Sequence, residues 1–183
     1  MPRLLLHTCC VLCSCAVLEK LRHEFALTAY FYNPNIEPRE EYEKRRATVK
    51  EWCDKAGILF VEGEYDNVGW HRAVKGYENE PEGGARCTVC FAFRLWQAAK
   101  LAKEQGFDFF ATTLTMGRNK RAELINPLAQ KIADEWGVKF YAADWKKGGG
   151  QECARTLSKE HNLYHQNYCG CGFSKIDKTQ FLK

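Results

Sequence analysis

Short runs of consecutive apolar residues alternate along this chain with longer stretches in which apolar residues return every three or four positions. Leu4-Leu5-Leu6-His7-Thr8 is of the first kind, and unbroken apolarity over so few residues predicts a strand covered on both faces. Residues 27–32, 58–61, 108–113 and 139–143 repeat the pattern. Helical spacing places Val17, Leu18 and Leu21 on one face over 16–24. It places Tyr42, Val49 and Trp52 on one face over 39–56, a helix opened by Pro38. Further helices are predicted over 68–74, from Cys87 through Ala102 with Phe91, Leu95 and Ala98 inward, over 119–136 with a bend at Pro127, and over 153–161. Asn33-Pro34-Asn35 reads as a turn, and 78–86, with Pro81, Gly83 and Gly84, as a loop without regular structure. Strand alternating with helix predicts an α/β fold: one domain over 1–183, a mostly parallel sheet of about five strands flanked by helices.

At 183 residues, 45% hydrophobic and 27% charged, the chain has the make-up of a soluble domain able to bury a core without disulfides. No segment approaches the roughly 18 apolar residues of a membrane helix. The run at 4–6 is cut short by His7 and Thr8, and no small-x-small cleavage site follows, which argues against a secretory signal and for a cytoplasmic protein. A net charge of +4 permits a polyanionic partner without requiring one. Arg39, Lys44, Arg45, Arg46 and Lys50 lie largely outside the inner face of the 39–56 helix, as a solvated surface or a phosphate-contacting one.

Ten cysteines change this picture. Three groups stand at turns or element ends: Cys9-Cys10 with Cys13, Cys87-x-x-Cys90, and Cys169-x-Cys171. A cytosolic chain that bunches its thiols in this way holds metal or does redox work. Open parallel sheets bind ligands beyond the carboxyl ends of their strands, so Cys9 and Cys10, Asn33 and Asn35, Thr112 and Thr113, and Asp144 are expected to face one cavity. The three pairs supply six sulfurs where a zinc site or a cubane takes four. More than one metal is therefore expected, or one cluster with free thiolates beside it. Cys13, one helical turn beyond Cys9 and Cys10, is placed to join them, whereas Cys15, Cys53 and Cys153 read as packing. His7 fits either a satisfied core histidine or a proton donor. Tyr32, Trp145 and Tyr168 fit either core or base-stacking platforms. Arg118, Lys120 and Arg121 open the 119–136 helix, where acidic residues are usual, and so suggest an anionic ligand.

His7-Thr8-Cys9-Cys10-x-x-Cys13, Tyr32-Asn33-Pro34-Asn35-Ile36, Pro81-Glu82-Gly83-Gly84-x-Arg86-Cys87-x-x-Cys90-Phe91, Thr112-Thr113-Leu114, Asp144 and Asn167-Tyr168-Cys169-Gly170-Cys171-x-Phe173-Ser174 together resemble the QueH-type epoxyqueuosine reductases over nearly the whole chain. The resemblance implies two-electron reduction of the epoxide of epoxyqueuosine at the tRNA wobble position, without cobalamin. It also implies a sheet of the adenine nucleotide alpha hydrolase or PP-loop kind, a 4Fe-4S cluster, one additional iron ion, and an external electron donor. On that basis Cys87 and Cys90, with one sulfur each from Cys9-Cys10 and Cys169-Cys171, hold the cluster. The remaining two, with Asp144, hold the single iron, and the tail over 163–183 contributes to the site. Cys9, Asp144 and His7 take catalytic roles, and Tyr32, Asn33, Asn35, Arg86, Thr112, Thr113, Arg118, Lys120 and Tyr168 contact substrate. Val11-Leu12 between Cys10 and Cys13, and Asp144-Trp145-Lys146, depart from the family pattern. Two rivals share parts of this reading: a PP-loop enzyme using ATP on tRNA, which needs a glycine- and serine-rich loop where Thr8–Cys13 stands, and a zinc-stabilised RNA-binding module without catalysis.

Overall fold

A computed structural model describes residues 1–174; the end of the predicted tail, 175–183, lies outside the described residues. Five strands, β1 (Arg3–Thr8), β2 (Ala26–Phe31), β3 (Leu59–Glu62), β4 (Phe109–Thr112) and β5 (Lys139–Phe140), form one sheet in the order β3-β2-β1-β4-β5. Every pairing is parallel, with Leu5 beside Thr28 on one side and Phe110 on the other. Successive side chains of a strand point to opposite faces, and β1 shows why consecutive apolar residues were needed. Leu4 and Leu6 enter a core with α1 (Val11–Leu21), α2 (Arg39–Ala56) and α6 (Gly150–Glu160). Leu5 enters a second core with Phe110, Phe140, α4 (Ala85–Glu104) and α5 (Ala122–Trp136). A short helix, α3 (Asn67–Ala73), buries Trp70. Among the described residues no helix is long and apolar enough to cross a membrane.

The element types follow the predicted pattern, but several boundaries move, and the moves build the site. Helix α1 begins at Val11 rather than residue 16, because Cys10 is extended and the Ser14 hydroxyl, donating to the Cys10 carbonyl at 2.7 Å, closes the first turn. Helix α4 begins at Ala85, inside the loop expected to be irregular, with Gly84 as its N-cap. Helix α6 starts within the glycine run. A Cβ on Gly150 would lie 2.0 Å from the Trp145 carbonyl oxygen, so only glycine allows the chain to pass there. Helix α5 starts late, at Ala122, after a 3₁₀ turn at Leu114–Met116 and a turn closed by the Lys120 N–H on the Gly117 carbonyl. Strand β5 has two residues where five were expected.

After β1 the chain crosses to the α1 face, and after β4 to the α5 face. Between β1 and β4 the sheet therefore has a switch point, where a crevice opens beyond the strand ends.

Candidate metal centre

At that switch point lies a cavity of about 710 Å³. Its walls are Cys9, Cys10 and Cys13 from the β1–α1 junction, Arg45 from α2, Glu82 ahead of α4, the 116–120 turn, Gln151, Ala154, Arg155 and Ser158 from α6, and the 165–169 segment. Two residues link β1 to α1, and Cys13 returns one helical turn later, so three sulfurs meet within 4.8 Å of one another. The Cys9 and Cys10 sulfurs are 3.9 Å apart. A tetrahedral ion with metal–sulfur bonds of about 2.3 Å sets its sulfurs about 3.8 Å apart, close to the Cys9–Cys10 spacing.

The triad is not electrically uniform. Bonds from the Cys10 and Cys13 thiols hold Cys9 well below the usual thiol range against the effect of burial, helped by Lys120 and Arg94. A bond from Cys13 pulls Cys10 down, but the Cys9 thiolate and burial outweigh it and push Cys10 up to about 12. Its bonds to Cys10 and Cys9 raise Cys13 as well. Gln166 donates from Nε2 to the Cys10 sulfur at 2.9 Å, and the Cys9 sulfur lies 4.0 Å from the Thr113 hydroxyl. Lys120 folds back over Gly117, where a Cβ would stand 2.8 Å from its chain. Burial pulls the Lys120 ammonium down, but the Cys169 and Cys9 sulfurs outweigh burial and hold it above its ordinary value.

Four more cysteines come from α4 and the tail. Cys87 and Cys90 stand in the first two turns of α4, and the Gly83 N–H donates to the Cys87 sulfur at 3.2 Å. Cys90 and Cys171 are buried in one cluster with Trp70 and Val74, and Cys169 acts electrostatically on Cys87, Cys90 and Cys171. Burial raises the Cys87 and Cys90 thiols, and burial together with Cys169 pushes Cys171 up to about 11. All ten cysteines are free. Buried thiols that resist ionisation on their own are suited to a metal, whose charge reverses that preference. The all-sulfur donor sets fit iron–sulfur or zinc chemistry rather than magnesium or calcium.

Of the other predicted site residues, Arg118, Lys120 and Tyr168 line the cavity. The remainder stand behind its walls, which corrects the expectation that all four strand-end groups face it. His7 is fully buried: Nε2 donates to the Tyr32 carbonyl at 3.1 Å and Nδ1 accepts from the Thr112 hydroxyl at 2.9 Å. Burial, then Arg94, lowers its pKa to about 3, so it is a neutral core histidine. Thr112 also accepts from the Leu114 N–H, and Thr113 is buried against Cys9. Tyr32 is stacked between Tyr30 and Phe93, and Trp145 is buried with its indole N–H on the Thr112 carbonyl at 2.8 Å. Asn33 ties Arg94 to the Thr8 carbonyl, and Asn35, two residues on, is buried with its side-chain oxygen unpaired. Arg86 gathers the Glu78 and Glu80 carbonyls and so shapes the glycine loop. Asp144 accepts from the Lys146 N–H at 3.3 Å and lies 3.6 Å from the Lys147 ammonium, where it organises its own turn. The basic trio does not open α5: Arg121 is its N-cap, and Arg118 and Lys120 belong to the preceding turn. Cys15 and Cys53 pack in the core as expected, whereas Cys153 is exposed.

Gln166 and Arg155 were missed, and Arg45 was expected on the outer face of its helix. Arg45 is 2% exposed, not on the solvated face. A signal for it existed, since it stands three residues after Tyr42 and four before Val49 on the inner stripe of α2.

Fold and site together define a thiol-rich α/β protein with a cysteine-lined crevice at the switch point of a parallel sheet. The sequence pattern of the family Epoxyqueuosine reductase QueH matches residues 4–177. The epoxyqueuosine reductase QueH of Staphylococcus epidermidis is 40% identical over 184 residues, covering 96% of this chain and 77% of the relative. That of Histophilus somni is 39% identical over 181 residues, covering 98% and 74%, and that of Thermotoga maritima 36% identical over 183 residues, covering 98% and 94%. The chain belongs to the epoxyqueuosine reductase QueH family, a family of oxidoreductases. Among solved structures, the U34-tRNA thiolase NcsA from Methanococcus maripaludis with its 4Fe-4S cluster superposes with a TM-score of 0.58 at 14% identity, covering 97% of this chain and 65% of the thiolase. That likeness shows the fold, a PP-loop-like sheet.

Proposed function

We propose that this cavity is where the chain reduces epoxyqueuosine on tRNA, using an iron–sulfur cluster and one further iron held by its cysteines. The observation that carries the reading is the close sulfur triad on the cavity wall with Cys169 on the same wall, beside a second place where Cys90 and Cys171 pack together, all as free thiols. The relatives' name supplies the reaction, and the thiolase supports the capacity of such a sheet to carry a cluster.

Cys87, Cys90, Cys169 and Cys171 make the four ligands a cubane takes, and Cys9, Cys10 and Cys13 are the close-spaced set suited to a single ion. This allocation replaces the mixed one expected from sequence and leaves Asp144 out. When bound, the cluster supplies electrons one at a time and the further iron a Lewis acid for the departing oxygen. Turning the epoxide into an alkene and water takes two electrons and two protons, so an external electron donor is part of the reading.

The protein's own side chains shape the approach. Among the lining residues, Arg45, Arg118, Lys120 and Arg155 face a single carboxylate, Glu82. Arg118 and Arg155 are exposed, on different elements, and neither has a hydrogen-bond or ion-pair partner among the described residues. Single-stranded RNA is held by arginine and lysine on its phosphates while a base is splayed out against an aromatic ring. Tyr168, half-buried on the wall, is placed for that ring; Tyr32 and Trp145 are not. The ATP-using alternative fails for want of a phosphate loop, since the first glycine in the chain is Gly57, far beyond the β1–α1 junction.

The test is anaerobic reconstitution with iron and sulfide, followed by assay with a chemical reductant on tRNA carrying the epoxide. About five irons and four sulfides per chain and conversion to the alkene are expected. A colourless zinc protein without turnover refutes the reading.

A further inference from the structure

The charged helix α2 holds the cysteine-bearing tail through one buried side chain. Arg45 donates from Nε to Glu41 Oε1 at 2.7 Å, from Nη1 to the Cys169 carbonyl at 2.9 Å and from Nη2 to the Tyr168 carbonyl at 3.0 Å. Its guanidinium also lies 5.2 Å from the Tyr168 ring centroid. Around this fork, the Tyr164 hydroxyl donates to Glu41 Oε2 at 2.8 Å, the Glu37 N–H donates to the Gly170 carbonyl at 2.8 Å, and the Tyr168 hydroxyl donates to the Glu37 carbonyl. Gly170 has φ +127°, and a Cβ there would lie 3.0 Å from Ile36 and 3.1 Å from Arg45 Nη1. The tail backbone is thus pressed against the start of α2.

The carbonyls of Tyr168 and Cys169 belong to the two peptide planes that flank the Cys169 Cα. Binding both to one rigid guanidinium restrains φ and ψ of Cys169, and with them the direction of its Cα–Cβ bond, from which the sulfur projects. Cys169 faces the cavity, and Cys171, two residues on, reaches the Trp70–Cys90 cluster. A buried guanidinium is costly unless its donors are satisfied, and an apolar side chain would fill the stripe between Tyr42 and Val49 without that cost. The charge at residue 45 is explained by what it holds.

We propose that Arg45 is a positioning residue for the metal centre: it docks the tail on α2 so that Cys169 faces the cavity and Cys171 packs beside Cys90. Its link to the metal rests on the proposed function; the docking itself does not.

The test uses the full chain as parent, Arg45→Met and Arg45→Lys, before and after anaerobic reconstitution. In the metal-free chain, iodoacetamide labelling resolved by site is expected to quicken about tenfold or more at Cys169 and Cys171 in Arg45→Met, because losing charge-assisted bonds shifts the opening equilibrium exponentially. The core thiols Cys15 and Cys53, which touch neither Arg45 nor the tail's cysteines, keep parent rates. Arg45→Lys, a point charge that reaches one carbonyl at a time, gives a smaller rise and decides the matter if Arg45→Met does not fold. After reconstitution the reduced cluster of either variant shows an altered EPR spectrum. Parent rates at Cys169 and Cys171 overturn the proposal, as does an equal rise at every thiol including Cys53, which marks general loosening. Selective exposure of Cys169 and Cys171 in a variant of a parent that takes up no iron upholds the docking and refutes the cluster reading instead.

Discussion

The two sulfur sets are built in opposite ways. Cys9, Cys10 and Cys13 come from five consecutive residues at the end of the central strand, so β1, buried on both faces, sets their places, and the distant contacts of Gln166 with Cys10 and Thr113 with Cys9 only adjoin them. Cys87, Cys90, Cys169 and Cys171 come from the start of α4 and from a tail segment that has no strand among the described residues and is held by side chains of α2. A site made from one strand end has the stability of the sheet. A site assembled across the chain opens when its weakest docking contact opens. The contrast suggests that the triad persists in the metal-free protein while the quartet is completed by the tail.

The largest effect that separates the sets is in metal content. Cys87→Ser with Cys171→Ser is expected to remove about four irons per chain and to spare the triad's one, whereas Cys10→Ala with Cys13→Ala removes about one and spares the cluster. Iron and sulfide counting on reconstituted protein reads both, and equal losses from the two pairs would falsify the allocation. A smaller effect is expected from Gly170→Ala. Its left-handed backbone and the crowding by Ile36 and Arg45 should cost about 1–3 kcal/mol, lowering cluster uptake and leaving the triad unchanged. Uptake of iron by the variant at the parent level would show that the tail has room to yield.

The same contrast governs what the sequence could say. The strands were legible because two-sided burial writes itself as consecutive apolar residues, and Leu4-Leu5-Leu6 shows it most plainly. The cysteine groups were legible as groups, since spacing and turn residues are local. Their allocation was not, because it depends on which elements the fold brings together. Asn33, Thr112 and Asp144 were drawn toward the cavity by their place at strand ends, yet each satisfies backbone or side-chain partners nearby. Polar residues at strand ends brace the crevice as readily as they line it. Arg45 could have been found: a charge on the apolar stripe of an amphipathic helix needs a buried partner, and no local residue supplies two carbonyls. Gln166 left no such trace, because nothing in an irregular tail indicates which side chain meets Cys10.

The smallest effect concerns the cavity mouth, where the boundary of α5 alters the expectation. Had Arg118, Lys120 and Arg121 opened a helix together, all three would be phosphate ligands. Instead Lys120 turns inward between Cys9 and Cys169, and the exposed cation across the mouth from Arg118 is Arg155 on α6. Every phosphate that is no longer neutralised by a side chain should reduce the slope of log affinity against log salt by about 0.7 on a single-stranded segment. Arg118→Ala with Arg155→Ala is therefore expected to flatten that slope by about 1.4 on tRNA and to leave iron content at the parent value. Lys120→Met should do the reverse, altering the spectrum of the metal-loaded protein while the slope stays within about 0.5 of the parent. If Lys120→Met flattens the slope as far as the arginine pair does, the ammonium belongs to the RNA rather than to the sulfurs, and the inward placement of residue 120 carries no electrostatic role at the metal centre.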